Sequence, residues 1–154
     1  MSAITEIKNC YVCESEEFVL HKKVNNFPVY RCKKCKLLWI EGKELVGDRL
    51  KLFYNHTYFN NDSEAGYENY LASEENHRKN ARTILCAVDK IKPLTKSRIL
   101  DIGCAFGFLL DEARNLKGCD TYGVEISCYA YEYAKLRLGL NNIYNCDLGL
   151  CNFK

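Results

Sequence analysis

The chain has 154 residues, enough for one ordinary domain or two small ones, and its 47% hydrophobic content is sufficient to bury a core. Its 22 basic and 20 acidic residues are intermixed and leave a net charge of only +2, which argues against a strongly basic nucleic-acid-binding or membrane-binding protein. The N-terminus lacks the layout of a signal peptide, and no apolar run approaches the roughly 20 residues that span a bilayer. We therefore expect a cytoplasmic protein without membrane contact.

The first part of the chain predicts a small β module followed by an aromatic connector. Two short β-like segments, 17–21 and 27–31, are separated by the turn-forming pair Asn25-Asn26. Residues 44–70 are rich in aromatic residues and asparagine, and they predict a short helix followed by a loop.

A longer helix is predicted for residues 74–91. Acidic residues fill its first turn, Ser73 is its expected N-cap, and Pro93 stops it. The helical period predicts an inward face made of Ala81, Ile84, Leu85, Val88 and Ile91.

From there to the C-terminus, strands and helices alternate. Gly118 and Gly139 mark helix ends, and Ser127 is the expected N-cap of the second helix. The inward face of the first helix is predicted to hold Leu109, Leu110, Ala113 and Leu116. This alternation predicts an open parallel α/β sheet. The elements are, in order, strand 97–102, helix 107–117, strand 121–126, helix 128–138 and strand 141–147.

Two cysteine pairs stand in the β module. Eighteen residues separate the second cysteine of one Cys-x-x-Cys from the first of the other, within the spacing of a four-cysteine zinc site. Each pair aims two thiolates at one point, and two pairs complete the tetrahedron of a structural zinc with no open position for chemistry. Four unrelated thiols, a redox pair or an iron–sulfur cluster are the alternatives. The predicted ligands are Cys10, Cys13, Cys32 and Cys35.

The remaining cysteines are expected to be buried thiols, because a chain without a secretory signal belongs in a reducing compartment. A zinc ribbon can also bind RNA or DNA, and "RCKKCK" is locally basic. Residues 1–60 hold ten basic and seven acidic residues, which is not the clustered basic face that phosphate binding needs, so we interpret these lysines as a solvated surface and do not expect nucleic-acid binding.

The loop after the first strand of the α/β region has the pattern Asp101-x-Gly103-x-Ala105-x-Gly107. Small residues allow the backbone to turn sharply and to approach a ligand closely. The dinucleotide fingerprint is not met, because Phe108 stands where its third glycine belongs. A carboxylate at Asp101 would repel a pyrophosphate but attract an ammonium and a sulfonium centre, which S-adenosylmethionine carries.

The segment "LDIGCAFGFLL" resembles the first motif of class I S-adenosylmethionine-dependent methyltransferases. The resemblance implies that the loop holds S-adenosylmethionine, that Glu125 at the end of "YGVEIS" binds both ribose hydroxyls, and that Asp147 in "NCD" meets the adenine amino group. Solvated strand-end acids are the alternative for these carboxylates. Ala105 departs mildly from the glycine of the motif.

The order of zinc module, aromatic segment, helix and "LDIGC" loop resembles zinc-containing methyltransferases of the deoxysugar C-methyltransferase type. That resemblance implies a small-molecule acceptor such as a sugar, and it implies that Tyr67 and Tyr70 form a lid. Tyrosines also commonly cover the edge of a core. It further implies a strand order of 3-2-1-4-5-7-6, of which this chain carries the first three strands.

The fold expected is thus α/β, with a small zinc ribbon followed by a partial Rossmann-like parallel sheet with helices. We assign residues 1–60 to the zinc-binding module and aromatic connector, and residues 61–154 to the first half of an S-adenosylmethionine-binding domain. The first strand would then have a free edge, and we expect either a homodimer through residues 98–102, a cover by residues 52–70, or a C-terminal half beyond Lys154.

No catalytic base can be assigned from the sequence. The three histidines, His21, His56 and His77, lie where surface or structural roles are expected. The predicted function is an S-adenosylmethionine-dependent methyltransferase that may be inactive as this chain alone. The alternatives are a non-enzymatic zinc- and S-adenosylmethionine-binding module that acts through a partner, and a zinc ribbon that binds nucleic acid.

Overall fold

The computed structural model describes residues 9–24, 27–40, 48–60 and 66–151. The chain divides into two compact units, Met1–Leu45 and Val46–Lys154. None of the helices in the described ranges is both long and apolar enough to cross a lipid bilayer.

The first unit contains a three-stranded antiparallel sheet of β1 (Phe18–Val24), β2 (Phe27–Cys32) and β3 (Leu38–Ile40), in that order. The first two strands confirm the predicted β segments, whereas β3 was not predicted because three residues are too short for a periodic signal. Trp39 on β3 packs with Phe18 of β1, their ring centroids 5.4 Å apart, and forms the small core. The predicted Asn25-Asn26 turn lies outside the described residues.

The aromatic connector forms two short helices, α1 (Asp48–Phe53) and α2 (His56–Phe59), where one helix and a loop were predicted. The side chain of Asn55 caps α2, because its Oδ1 accepts a hydrogen bond from the N–H of Thr57 at 2.8 Å. Phe59 packs on Phe106 of the second unit at 5.0 Å. The connector therefore groups with the second unit, and the chain divides after Leu45.

Helix α3 (Glu74–Ile91) has the predicted bounds, but two predictions about it hold only in part. Ser73 occupies the predicted N-cap position but makes no capping hydrogen bond through its side chain, and a one-turn 3₁₀ helix, Leu71–Ser73, leads directly into α3. The predicted apolar face is buried at only two of its five positions, because a helix buries only the part of its apolar face that a neighbour reaches. Ala81 and Leu85 are buried, while Ile84, Val88 and Ile91 are exposed.

The rest of the second unit alternates between strands and helices, which confirms an α/β arrangement with a parallel sheet. The sheet order is β4-β5-β6, and both pairs are parallel. The elements are β4 (Arg98–Ile102), α4 (Phe108–Lys117), β5 (Asp120–Val124), α5 (Cys128–Leu136), β6 (Asn142–Tyr144) and a 3₁₀ turn at Leu148–Leu150.

In helix α4, burial depends on the position along the helix axis: the first two turns are largely buried, whereas the last turn is more exposed. Leu110 and Ala113 in its first two turns are fully buried as predicted, but Leu116 in its last turn is 56% exposed, so that part of the prediction is wrong. Asp111 and Glu112 are buried as well, because Nη1 of Arg78 on α3 donates to them at 2.8 and 3.0 Å. These ion pairs bury a side of α4 that an apolar pattern cannot predict.

Candidate metal centre and ligand-binding site

Four cysteines of the first unit converge on one point. The Sγ atoms of Cys10, Cys13, Cys32 and Cys35 all lie within 4.8 Å of one another. Two of the Sγ–Sγ distances are 3.6 Å (Cys10–Cys35) and 3.5 Å (Cys13–Cys32), and all four thiols are free. A tetrahedral zinc with Zn–S bonds of about 2.3 Å separates its sulfurs by about 3.8 Å. The cluster therefore has the size of a single-ion site and can bind a metal ion such as zinc.

The two Cys-x-x-Cys turns have matching backbones. Glu14 and Lys36, which directly follow the second cysteine of each turn, both adopt a left-handed conformation with φ of 57° and 65°. The N–H of Cys35 donates to Sγ of Cys32 at 3.4 Å. Burial would raise the pKa of Cys32, but backbone donors led by Cys35 outweigh it and lower that pKa to about 6. A lowered pKa favours the thiolate form that binds metals.

In the second unit, the loop after β4 turns toward the end of β5. The N–H groups of Gly103 and Cys104 both donate to the carbonyl oxygen of Val124, at 2.8 and 3.1 Å. Gly103 and Ala105 have φ of 76° and 47°. An alanine with positive φ is uncommon and strained, so the loop is held in this shape by its surroundings.

Gly107 serves packing at the start of α4. A Cβ at this position would lie 2.6 Å from Cδ1 of Leu140 and 3.1 Å from Cβ of Ala134, and its φ is 80°. Glycine is required here on both counts. The residue does not line the cavity described next.

A cavity of about 490 Å³ opens at the carboxyl ends of β4 and β5. This is the position at which open parallel α/β sheets bind ligands. Four tyrosines line one side, and we call them the tyrosine wall: Tyr54, Tyr58, Tyr67 and Tyr70. The other lining residues are Phe59, Ile102, Gly103, Ala105, Val124, Glu125, Ile126, Cys146, Asp147 and Leu148.

Glu125 is buried, with 6% exposure, in the lining of the cavity. Its Oε2 accepts a hydrogen bond from the N–H of Ala105, and its Oε1 accepts one from the N–H of Ser127, both at 2.7 Å. Burial raises its pKa, and these backbone donors partly offset that effect. A carboxylate has about four lone-pair sites, so Glu125 can accept hydrogen bonds beyond the two from Ala105 and Ser127.

The two aspartates predicted to bind the cofactor are placed differently. Asp147 lines the cavity and also caps the 3₁₀ turn, since its Oδ1 accepts from the N–H of Gly149 at 2.9 Å. Asp101 is half-buried, with its pKa raised by burial, and it does not line the cavity. The structure thus brings Gly103, Ala105, Glu125 and Asp147 together and leaves Asp101 and Gly107 outside the lining.

A disulfide joins Cys146 and Cys151, so the expectation of buried thiols is wrong for this pair. It is also wrong for Cys86 and Cys128, which are exposed. The disulfide spans the loop that carries Asp147, and Cys146 itself lines the cavity. The sequence could not predict this disulfide, because cysteine spacing alone does not distinguish a disulfide that closes a short loop from two unrelated thiols.

Tyr67 and Tyr70, the two lid candidates, line the cavity together with Tyr54 and Tyr58, which the sequence analysis missed. The ring of Tyr70 also stacks on His77, with centroids 3.9 Å apart. Burial lowers the pKa of His77, which favours its neutral form.

The other two histidines, like His77, lie outside the described lining. His56 contacts the ring of Tyr129 at 4.7 Å, and His21 lies on the exposed strand β1.

No protein-family model matches the chain, and no curated protein shows significant similarity to it.

Proposed function

We propose that the second unit binds S-adenosylmethionine in this cavity, that the first unit is a structural zinc module, and that the protein is an S-adenosylmethionine-dependent methyltransferase. The observation that carries the proposal is the buried carboxylate of Glu125, which lies at the carboxyl end of a parallel strand and beside the backbone of Gly103 and Ala105. A ligand with a cationic portion and two vicinal hydroxyls matches this lining, whereas a pyrophosphate does not.

The chain's own residues have distinct roles in this proposal. Gly103 and Ala105 offer close approach to the ligand, and the spare lone pairs of Glu125 accept the two ribose hydroxyls. Asp147, which lines the same cavity, would accept a hydrogen bond from the amino group of the adenine. Bound S-adenosylmethionine would supply the methyl group, and the acceptor remains a prediction: a small molecule such as a sugar.

Calorimetry with S-adenosylmethionine, S-adenosylhomocysteine and NAD tests the cofactor assignment. We expect one adenosyl ligand to bind per chain and NAD to bind more weakly or not at all. Binding of NAD in preference to both adenosyl ligands would refute the assignment.

Binding without catalysis is the second candidate function. It is favoured by the hydrogen bonds that tie both oxygens of Glu125 to backbone N–H groups, because this arrangement suits a binding group better than a proton acceptor. Formation of S-adenosylhomocysteine during incubation with candidate sugar acceptors distinguishes an enzyme from a binding module.

A further inference from the structure

The tyrosine wall is a connected set of rings. Tyr58 meets Tyr54 edge to face with centroids 4.8 Å apart, and it meets Tyr67 at 5.8 Å. Tyr67 in turn meets Tyr70 at 4.7 Å, with their planes at 88°. Phe59 closes the set, since it contacts Tyr58 and Tyr70 at 5.1 and 5.4 Å. The cavity is therefore bordered on this side by π systems that support one another.

The charged side chains in the described lining of the cavity are acidic. Among the described residues that line the cavity, Glu125 and Asp147 have charged side chains, and none is a lysine, arginine or histidine. Burial, assisted by Tyr67, Glu125 and Asp101, raises the pKa of Tyr70 to about 12. Its hydroxyl is therefore neutral at physiological pH, and the cavity presents aromatic rings, phenol oxygens and carboxylates.

We propose that the tyrosine wall binds a permanently cationic onium centre, either the sulfonium of the cofactor or a quaternary ammonium on the acceptor. The adenosyl part of this proposal rests on the proposed function, whereas the wall itself does not. Aromatic faces attract cations through their quadrupole, and edge-to-face ring sets recur where methylated onium groups are recognised. An anionic group, such as a phosphate, would face carboxylates without a counter-charge.

The wall then determines ligand charge selectivity. S-adenosylmethionine and S-adenosylhomocysteine differ by one methyl group and by the charge on sulfur. A sulfonium against the wall gains a cation–π contribution that the neutral thioether lacks, and we expect a preference for S-adenosylmethionine of about 10-fold. A quaternary ammonium would gain in the same way over a neutral carbon analogue of equal shape.

Two ligand pairs measure this selectivity by calorimetry. The first pair is S-adenosylmethionine and S-adenosylhomocysteine, and the second is choline and its neutral analogue 3,3-dimethylbutan-1-ol. Each pair is titrated into the wild type, Tyr67→Leu and Tyr67→Phe. Tyr67 is 44% exposed, so its removal is compatible with folding. Tyr58→Leu provides a second position, and Tyr131→Leu on α5 is the control outside the lining.

The expected result is a preference for the cationic member of at least one pair, which falls toward unity in Tyr67→Leu and Tyr58→Leu and persists in Tyr67→Phe and Tyr131→Leu. Selectivity in the first pair identifies the sulfonium, and selectivity in the second identifies an ammonium. The proposal is overturned if neither pair is discriminated, or if the leucine variants retain the full preference. If neither adenosyl ligand binds at all, the proposed function fails, and the choline pair alone then decides whether the wall binds onium groups.

Discussion

The carboxylate of Glu125 joins two segments of backbone. Through Oε2 it holds the N–H of Ala105 in the loop after β4, and through Oε1 it holds the N–H of Ser127 at the start of α5. Removing it would leave two backbone donors without their acceptor in a buried region. The residue therefore supports the shape of the cavity in addition to its proposed contact with the ligand.

Glu125→Gln should weaken the binding of S-adenosylmethionine by about 1–3 kcal/mol, because an amide offers one acceptor oxygen where the carboxylate offers two. Calorimetry measures the loss, and Glu132→Gln on the exposed side of α5 is the matched control. Unchanged affinity in a variant that still binds would contradict the ribose role.

The burial of Glu125 should also be visible in the pH dependence of the free energy of unfolding. Because burial raises the pKa of Glu125 above its ordinary value of 4.5, the folded state holds the proton more tightly than the unfolded chain does. Its contribution to the free energy of unfolding is thus fully present below pH 4.5 and is lost as the pH rises through the folded-state pKa. Urea unfolding from about pH 4 to 7 should show wild-type stability falling relative to Glu125→Gln. A constant difference between the two proteins would contradict the raised pKa.

Individual site residues could be predicted from the sequence where a single requirement, such as the spacing of metal ligands, determines their positions. The spacing of the four cysteines identified a cluster that the structure assembles. Gly107 was predicted as part of the cofactor loop, whereas the structure shows a packing role against Leu140, and a distant contact of that kind leaves no local pattern. The hydrogen bonds of Glu125 to Ala105 and Ser127 are equally invisible in the sequence, because they depend on the fold.

Among the elements, the first unit depends on its two cysteine turns, since its core around Trp39 is small and includes Cys10 and Cys32. A bound metal in such a unit contributes folding free energy directly. Trp39 is the only tryptophan of the chain and is 8% exposed, so its fluorescence reports on this unit alone.

We expect native mass spectrometry to find one zinc ion per chain. The double variant Cys13→Ser/Cys35→Ser should lose the ion and shift the emission of Trp39 to longer wavelength, as solvent reaches the indole. Cys86→Ser, which removes an exposed thiol of α3, should change neither property. A metal-free wild-type mass, or a double variant with unchanged Trp39 emission, would refute the zinc assignment.

The oxidation state of the two cysteines in the loop after β6 can be measured directly. The Cys146–Cys151 disulfide closes a segment that contributes three residues to the cavity lining, Cys146, Asp147 and Leu148. Alkylation of denatured protein without reductant should modify eight cysteines, and prior reduction should make all ten reactive. The variant Cys146→Ser/Cys151→Ser should bind S-adenosylmethionine more weakly, because Asp147 is no longer held at the cavity. Ten reactive cysteines before reduction would contradict the disulfide.

Element type was predictable in the second unit because the strands are short apolar runs and the helices have clear ends. The burial of individual side chains was less predictable than element type. Ile84 and Val88 carry the pattern of an inward face, yet they remain exposed, because a helix buries only the part of its apolar face that a neighbour reaches. Conversely, the acids Asp111 and Glu112 are buried because Arg78 reaches them from α3.

For the whole molecule, β4 is the position where the described sheet is incomplete. Among the described residues it pairs with β5 alone, so its other edge has no partner strand. Leu100 is 46% exposed and Ile102 is 58% exposed, although parallel strands are normally covered on both faces. The described part of segment 52–70 does not provide the cover, since its Phe59 packs on Phe106 and leaves both side chains exposed.

We therefore predict that the chain self-associates through β4, with a second copy pairing antiparallel about a two-fold axis to give one continuous sheet. Sedimentation over a wide concentration range measures the mass, and Leu100→Lys should shift it to the monomer by placing like charges across the two-fold axis. Ile99 is unsuitable for this test because it packs into the core, whereas Ile91→Lys, at an 88% exposed position at the end of α3, is the matched control and should still associate. A wild-type chain that remains monomeric at high concentration, with slow amide exchange at residues 98–102, would rule out the dimer, because the edge would then be protected within a single copy.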